Sequence, residues 1–437
     1  MQRLRGKEAI GHISDVSLLN FSDELRAEMN LPKRVVLSDL TLREGRQLEG
    51  RVLTNEQCLR VARELDELGF PEIQVPFSER YGEEELLDQL IKLGLKARIT
   101  VMTSVPQLPP TYSWDKQMIV LDKIISRGAI PYLSLCLSNR MLKAFSNFRG
   151  EKDRSLDYLK KQQIEMGVKA VQRVKEQKGI INGNVQDPMR CDLDYFDALC
   201  KELADSGMNY IVFDDLCCPG TPSVFKYIYR RAKKAVPNGT FGVYVHDDYG
   251  FGLGATLDAV EGGAEILMGT VNGFGKRGGM VDLGQLAVVL EFMYGYDTGI
   301  RLEKLTEVSR LVADIYREPL PRAKPVTGYS AYAHGADWHV QFAFPEHPDP
   351  DLQWVVQSID PRVVGQKPRV AFYHMSGPIC VRAHALTFGI TLSIVQSENV
   401  WLQLREYLKW RSRPISDEEF LNVLQQTLPD LAIPQRK

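Results

Sequence analysis

One phrase recurs along roughly the first 300 residues and limits what this chain can fold into: an amphipathic stretch, a glycine, then a short apolar run. Its first instance shows the logic. Arg34–Asp39 (RVVLSD) reads as a buried strand. Thr54 with Gln57 forms a capping box and opens a helix whose apolar face is Cys58, Val61, Ala62, Leu65 and Leu68. Gly69 supplies the helix stop, and EIQVP from Glu72 is the next strand. The phrase returns at Gly128 before PYLSLC, at Gly207 before NYIVFDD and at Gly263 before AEILMG. ARITVMT from Ala97, GIINGNV from Gly179 and FGVYVHDD from Phe241 complete eight strands, with helical stretches such as Asp192–Asp205 and Thr221–Ala235 between them. Alternating strands and helices require parallel pairing with right-handed crossovers. Eight units over about 260 residues predict a (β/α)8 TIM barrel, an α/β fold, with an open doubly wound sheet as the competitor.

After about residue 300 the rhythm changes. Arg301–Tyr316 and roughly the last 40 residues read as helical, and the stretch between is rich in Pro, Gly and His. The expected organisation is an N-terminal arm (1–32), a barrel (33–300) and an α-rich C-terminal extension (301–437) that contributes to the active site. Of the 437 residues, 54 are Lys or Arg and 56 Asp or Glu, a formal net charge of −2. That balance argues against nucleic-acid or membrane-surface partners, which select for a basic field. No apolar run reaches about 18 residues, and the opening MQRLRGKEAIGHISD lacks the apolar core of a secretory signal. Seven scattered cysteines without a CxxC pair fit a reducing compartment, and a cytoplasmic enzyme is expected.

Chemistry on a barrel sits at the C-terminal ends of the strands. Strand one runs into Asp39, Arg43, Glu44 and Gln47, strand seven into Tyr244, His246 and Asp248, and strand eight into Asn272, Lys276 and Arg277. A carboxylate and an imidazole converging on one mouth suit a divalent ion, and an adjacent arginine suits an enolate oxygen. Taken singly, Asp39 and Arg43 read equally well as a structural ion pair, and His246 as a satisfied loop histidine.

Together these residues resemble a known family. VVLSDLTLREGRQLEG is similar to the signature of the barrel enzymes that make and break carbon–carbon bonds, the isopropylmalate, homocitrate and citramalate synthases and hydroxymethylglutaryl-CoA lyase. HDDYGFGLGATLDAVEGGAEILMGTVNGFGKRGG resembles their strand-seven-to-eight segment, and PVTGYSAYAHGADWH and FYHMSG resemble the synthases' later motifs. The likeness spans about residues 33–390 and favours the synthase branch. It implies a Claisen-type condensation of an acyl-CoA, acetyl-CoA above all, with a 2-oxo acid, in a homodimer, with a divalent metal (Mg, Mn or Zn) as cofactor. Asp39 and His246 would be metal ligands, Arg43 the cation beside the reacting oxygens, and Glu44 a catalytic neighbour. Gln47, Gln186, Tyr244 and Asn272 would contact substrate, and His339 would be a general acid–base from the extension.

The match thins where the chemistry is expected. Tyr244 stands where the family pattern has a first histidine, Met280 where it has an asparagine, Gln186-Asp187 where it has Glu-Asp, Asp215-Leu216 where it has Asp-Thr, and Met141 where it has a further histidine. Three readings stay open. A rebuilt metal site could recruit Asp248, Tyr244 or Cys217. Enolate chemistry could run without a metal, on Arg43 and loop amides. Catalysis could be lost and the pocket kept for binding, and another lyase, aldolase or transferase on this barrel is a further alternative. Cys217-Cys218 reads more readily as a buried small-residue turn than as a ligand or nucleophile. Lys276 and Arg277 could attract CoA phosphates or lie on a solvated loop.

Overall fold

The structure, a computed structural model, describes residues 4–77, 82–103, 114–148, 150, 153–343, 352, 355–411 and 413–433. It divides into two compact units, Leu19–Pro319 and Met1–Leu18 with Leu320–Lys437.

In the larger unit eight parallel strands close a barrel in chain order. They are β1 (Val36–Asp39), β2 (Glu72–Phe77), β3 (Arg98–Thr103), β4 (Ile130–Cys136), β5 (Asn182–Gln186), β6 (Ile211–Asp215), β7 (Phe241–Val245) and β8 (Ile266–Gly269). Closure is made by β1 against β8, from Val36↔Ile266 to Asp39↔Gly269, and it excludes the open sheet. All eight expected strands form. The fifth begins at Asn182 rather than Gly179, because the Gly179 amide donates to the Val174 carbonyl (2.9 Å) and finishes the preceding helix.

The first crossover helix, Asn55–Leu68, shows how local sequence builds the repeat. Thr54 Oγ1 accepts from the Gln57 amide (3.2 Å) and Gln57 Oε1 from the Thr54 amide (2.9 Å), so the capping box is complete. Gly69 ends the helix at φ 105°, where a Cβ would stand 2.6 Å from the Gly299 carbonyl oxygen; no larger residue fits. Around the barrel, Phe213 on the outer face of β6 packs on Phe196 (5.0 Å between ring centroids), Tyr229 (5.2 Å) and Phe241 (5.4 Å), joining strand to helices. Each such ring contributes about 2–3 kcal/mol of burial.

Inside, Leu40, Met102, Tyr132, Tyr210, Val212, Tyr244, Ile266, Met268 and Met280 fill the lumen. Its lower end is plugged by Glu72, which accepts from Tyr210 Oη (2.7 Å) and from Arg98 (2.7 Å), with Tyr132 hydrogen-bonded to Tyr210. The strands finish at the opposite, upper end, where chemistry on such a barrel sits. The unit runs on through the helix Leu305–Tyr316, whose Tyr316 hydroxyl donates to the Thr41 carbonyl (2.6 Å).

The second unit is α-rich. The helices Pro378–Leu386, Ile394–Lys409 and Asp417–Thr427 pack around Cys380, Val381, Val400, Leu404, Phe420 and Leu424. The chain's opening segment joins it through Asp15, whose amide donates to the Ser358 carbonyl (2.9 Å). Among the described residues no helix is long and apolar enough to cross a membrane.

Candidate active site

The turn after β1 carries the reactive side chains, and Asp39 shapes it. Asp39 is fully buried. Its Oδ1 accepts from the Thr41 amide (2.8 Å) and its Oδ2 from the Thr41 hydroxyl (2.8 Å). That hydroxyl oxygen in turn accepts from the Val271 amide (2.9 Å), tying the turn to the end of β8. The Leu40 carbonyl then accepts from the amides of Arg43 (2.9 Å) and Glu44 (2.8 Å), which coils the chain so that both side chains enter the mouth.

Strand alternation supplies the rest. Successive residues face opposite sides of a strand, and parallel register partners share a side. Gln186, Asp214, Tyr244 and Met268 are register partners across β5 to β8, so they form one inward row, with His246 two residues above Tyr244. The loop after β8 folds over this row. Met280 bridges His246, the Asp247 amide donates to the Gly279 carbonyl (3.0 Å), and Arg277 pairs with Asp248 (2.9 Å). Lys276 is thereby held over the mouth.

Glu44 is the hub. It is fully buried. Its Oε2 accepts from Arg43 Nη1 (2.6 Å), the Tyr244 hydroxyl (2.6 Å) and Gln47 Nε2 (3.0 Å). Its Oε1 faces His246 Nε2 (3.3 Å) and Lys276 Nζ (3.4 Å). Burial alone would raise its pKa. The His246 hydrogen bond and the charges of Arg43 and Lys276 outweigh that and hold it well below the usual carboxylate range. Tyr244 is pushed far up, by burial and by the Glu44 and Asp214 carboxylates, and stays a neutral donor. His246 Nδ1 donates to the Asp215 carbonyl (2.7 Å), which fixes the ring's orientation. Asp214 is raised by burial against the opposing influence of His246, Asn184, Arg43 and Lys276. Asn184 donates to its Oδ2 (3.0 Å), while its buried Oδ1 accepts no hydrogen bond among the described residues.

Measured against the expected set, the structure brings Arg43, Glu44, Gln47, Tyr244 and His246 together, with Gln186 and Asp214 on the same row. The carboxylate that meets His246 is Glu44 rather than Asp39, because Thr41 takes both Asp39 oxygens. Asn272 is spent on the fold: its amide donates to the Ser309 carbonyl (2.8 Å) and its oxygen accepts from the Ser309 hydroxyl. His339 lies in the other unit on the helix Asp337–Ala343, beside Trp338 (5.2 Å) and His334 (6.1 Å). Cys218 is buried, its thiol pushed up to about 12 by burial and by Asp215, Asp248 and Asp247, which suits a packed turn rather than a nucleophile. Sequence reasoning missed Asp214. Its inward parity with Val212 and its register with Gln186 were the available signal. A cleft of about 550 Å³ lies at the other end of the barrel, lined by Ile91, Ile99, Ile125, Ile130 and Ile180; it holds none of these groups.

The donor set does not suit a divalent ion. Among the described residues no three His, Cys, Asp or Glu side chains stand together as a metal cluster. Glu44, the carboxylate 3.3 Å from His246, already receives hydrogen bonds from Arg43, Tyr244 and Gln47, and an ammonium stands 3.4 Å from its other oxygen. Tyr244 and Met280 bring a neutral phenol and a thioether, poor partners for a hard cation.

Comparison with known proteins agrees with the likeness read from the motifs. A family model described as HMGL-like matches residues 145–312. The chain is 27% identical to the 2-isopropylmalate synthase of Methanocaldococcus jannaschii over 363 residues, 83% of this chain and 65% of that protein, so it spans just under two thirds of that relative's length. It is 28% identical to the (R)-citramalate synthase of the same organism (90% of this chain, 74% of the relative). With its homocitrate synthase the figure is 27% (91% of each). Among solved structures, the HMG-CoA lyase of Brucella melitensis superposes with a TM-score of 0.53 at 16% identity, over 65% of this chain and 99% of that one, a likeness of fold. The chain therefore resembles the isopropylmalate, citramalate and homocitrate synthases and shares its barrel with the lyases.

Proposed function

We propose that this chain is an acyl-CoA-dependent acyltransferase that condenses acetyl-CoA, or a close acyl analogue, with a 2-oxo acid. The observation that carries the reading is the convergence of Arg43, Glu44, Tyr244, His246, Lys276 and Asp214 at the open end of the barrel. The relatives' names supply the reaction class.

A condensation of this kind needs three things: a base for the α-proton of the thioester, positive charge on the oxygens that turn anionic, and a dry, oriented mouth. Asp214 offers a buried carboxylate oxygen that accepts no hydrogen bond among the described residues, and burial raises its pKa. It takes the proton from the acyl methyl, and the enolate carbon attacks the carbonyl carbon of the oxo acid. The carbonyl oxygen becomes an alkoxide and is protonated, and water then cleaves the thioester to release free CoA. Arg43 and Lys276 supply the charge. Tyr244 and Glu44 hold Arg43 in place, Gln47 steadies Glu44, and His246, anchored on Asp215, closes the ring of contacts.

Thiol release from acetyl-CoA, measured with pyruvate, 2-oxoisovalerate and 2-oxoglutarate in turn, tests the reading. The expected result is release that requires both an oxo acid and the chain, and that falls about a hundredfold or more in Asp214→Asn. Absence of release with every acid, in a chain that binds one of them, would instead show a mouth that binds without turning over.

A further inference from the structure

Resting on that reading, we propose that Arg43 and Lys276 together occupy the role of a divalent ion, so that the mouth grips the 2-oxo acid by two organic cations and no metal. The argument starts from lone pairs. A bound 2-oxo acid presents two adjacent oxygens, keto and carboxylate, which a Lewis-acid ion would chelate using protein donors behind it. Here the carboxylate nearest His246 is already engaged. Glu44 Oε2 receives three hydrogen bonds, more than its two lone pairs accept at full strength. Glu44 Oε1 lies against His246 and Lys276.

His246 is committed as well. Nδ1 must carry a proton, since its partner, the Asp215 carbonyl, only accepts. Nε2 lies 3.3 Å from Glu44 Oε1, so the outward edge of the ring is turned onto the same crowded carboxylate.

The two cations are built for the substituted role. Arg43 spends Nη1 on Glu44 and Tyr244, and among the described residues its Nε and Nη2 make no hydrogen bond. That free edge is the planar fork that meets a carboxylate with two parallel hydrogen bonds. Lys276 donates toward Glu44 and its side chain is 32% exposed, so its three-donor ammonium has donors to spare, which suits a keto oxygen. Two fixed positive charges then balance the substrate carboxylate and Glu44, as a divalent ion would. The clip that places Lys276 is specific: the Gly279 amide donates to the Lys276 carbonyl (3.0 Å) and Met280 to that of Gly273 (2.9 Å).

The test reads binding, so it separates from turnover. Calorimetric titration of the full chain with pyruvate and with 2-oxoisovalerate, in EDTA and again with Mn2+, is expected to give the same affinity in both conditions. Mn2+ alone, followed by its electron paramagnetic resonance signal, is expected to stay free. Lys276→Met is expected to weaken the oxo acid about tenfold or more, with Lys276→Arg recovering part of the loss. The combined variant Lys276→Met, Tyr244→His, Met280→Asn is expected to take up Mn2+. Stoichiometric Mn2+ binding by the unaltered chain with a gain of about tenfold in oxo-acid affinity overturns the proposal. So does a folded Lys276→Met that binds unchanged, or failure of every oxo acid to bind in EDTA. Metal-independent binding without thiol release would sink the condensation reading while leaving this one standing.

Discussion

Replacing Asp39 with asparagine is expected to flatten the pH dependence of the barrel's stability. The Asp39 carboxyl is raised from 3.8 to about 7, first by burial, with the hydroxyl and amide of Thr41 and the amide of Val271 pulling the other way. The folded chain thus holds this proton more tightly than the unfolded chain does. The contribution is fully present below about pH 4 and is lost as pH rises to about 7. Roughly three pH units between the two values correspond to about 4 kcal/mol in all, of which about 2–3 kcal/mol falls between pH 5 and pH 8. Asparagine is the neutral isostere. Its Oδ1 keeps the bond from the Thr41 amide. Its Nδ2 donates to Thr41 Oγ1, which already accepts from Val271, so the threonine proton loses its acceptor at a cost of about 1 kcal/mol. Urea unfolding of the full chain at pH 5, 6, 7 and 8, followed by far-ultraviolet circular dichroism, resolves the barrel transition. The expected outcome is a variant slightly less stable than the parent at pH 5 and more stable at pH 8. Parallel pH profiles, or a variant that loses most at pH 8, would refute the reasoning. The variant also separates two roles for Asp39: as a carboxylate that shapes the turn, its replacement is expected to leave oxo-acid affinity within a few-fold.

Two further outcomes follow from local geometry. Thr54→Ala removes one half of the capping box and is expected to cost about 1 kcal/mol in urea without changing oxo-acid binding, with Thr54→Ser recovering most of it. Gly279→Ala places a side chain at φ +87° against the Gly273 carbonyl, so the loop carrying Lys276 must shift; loss of oxo-acid affinity with a nearly unchanged thermal midpoint is the expected result by calorimetry and scanning.

The repeat made the barrel legible because each signal is local. The capping box at Thr54–Gln57 and the left-handed glycines 69, 207 and 263 act within one turn of chain, and apolar runs bounded by them have one way to be buried. The mouth was legible in part. Arg43, Glu44, Tyr244 and His246 could be named from strand ends. Which carboxylate serves could not, because Asp39 and Glu44 are separated by a single turn and Thr41 decides between them by taking both Asp39 oxygens. Asp214 was hidden inside an apolar strand whose inward parity becomes meaningful only once its register with Gln186 and Tyr244 is known. Lys276 looked like a solvated loop cation or a phosphate partner, and folding of its glycine-rich loop set it on Glu44 instead.

The sequence by itself determined the eight-fold alternation, the strand ends that bear the polar groups, and the likeness to the acyl-transferring synthases, since these depend on contacts within a few residues or on residue type alone. Tertiary structure decided what the polar groups do. About 200 residues separate Arg43 and Glu44 from Tyr244 and His246, and about 230 separate Glu44 from Lys276; whether they form a metal's ligand set or a closed network of ion pairs depends on distances of about 3 Å that only closure of the barrel sets.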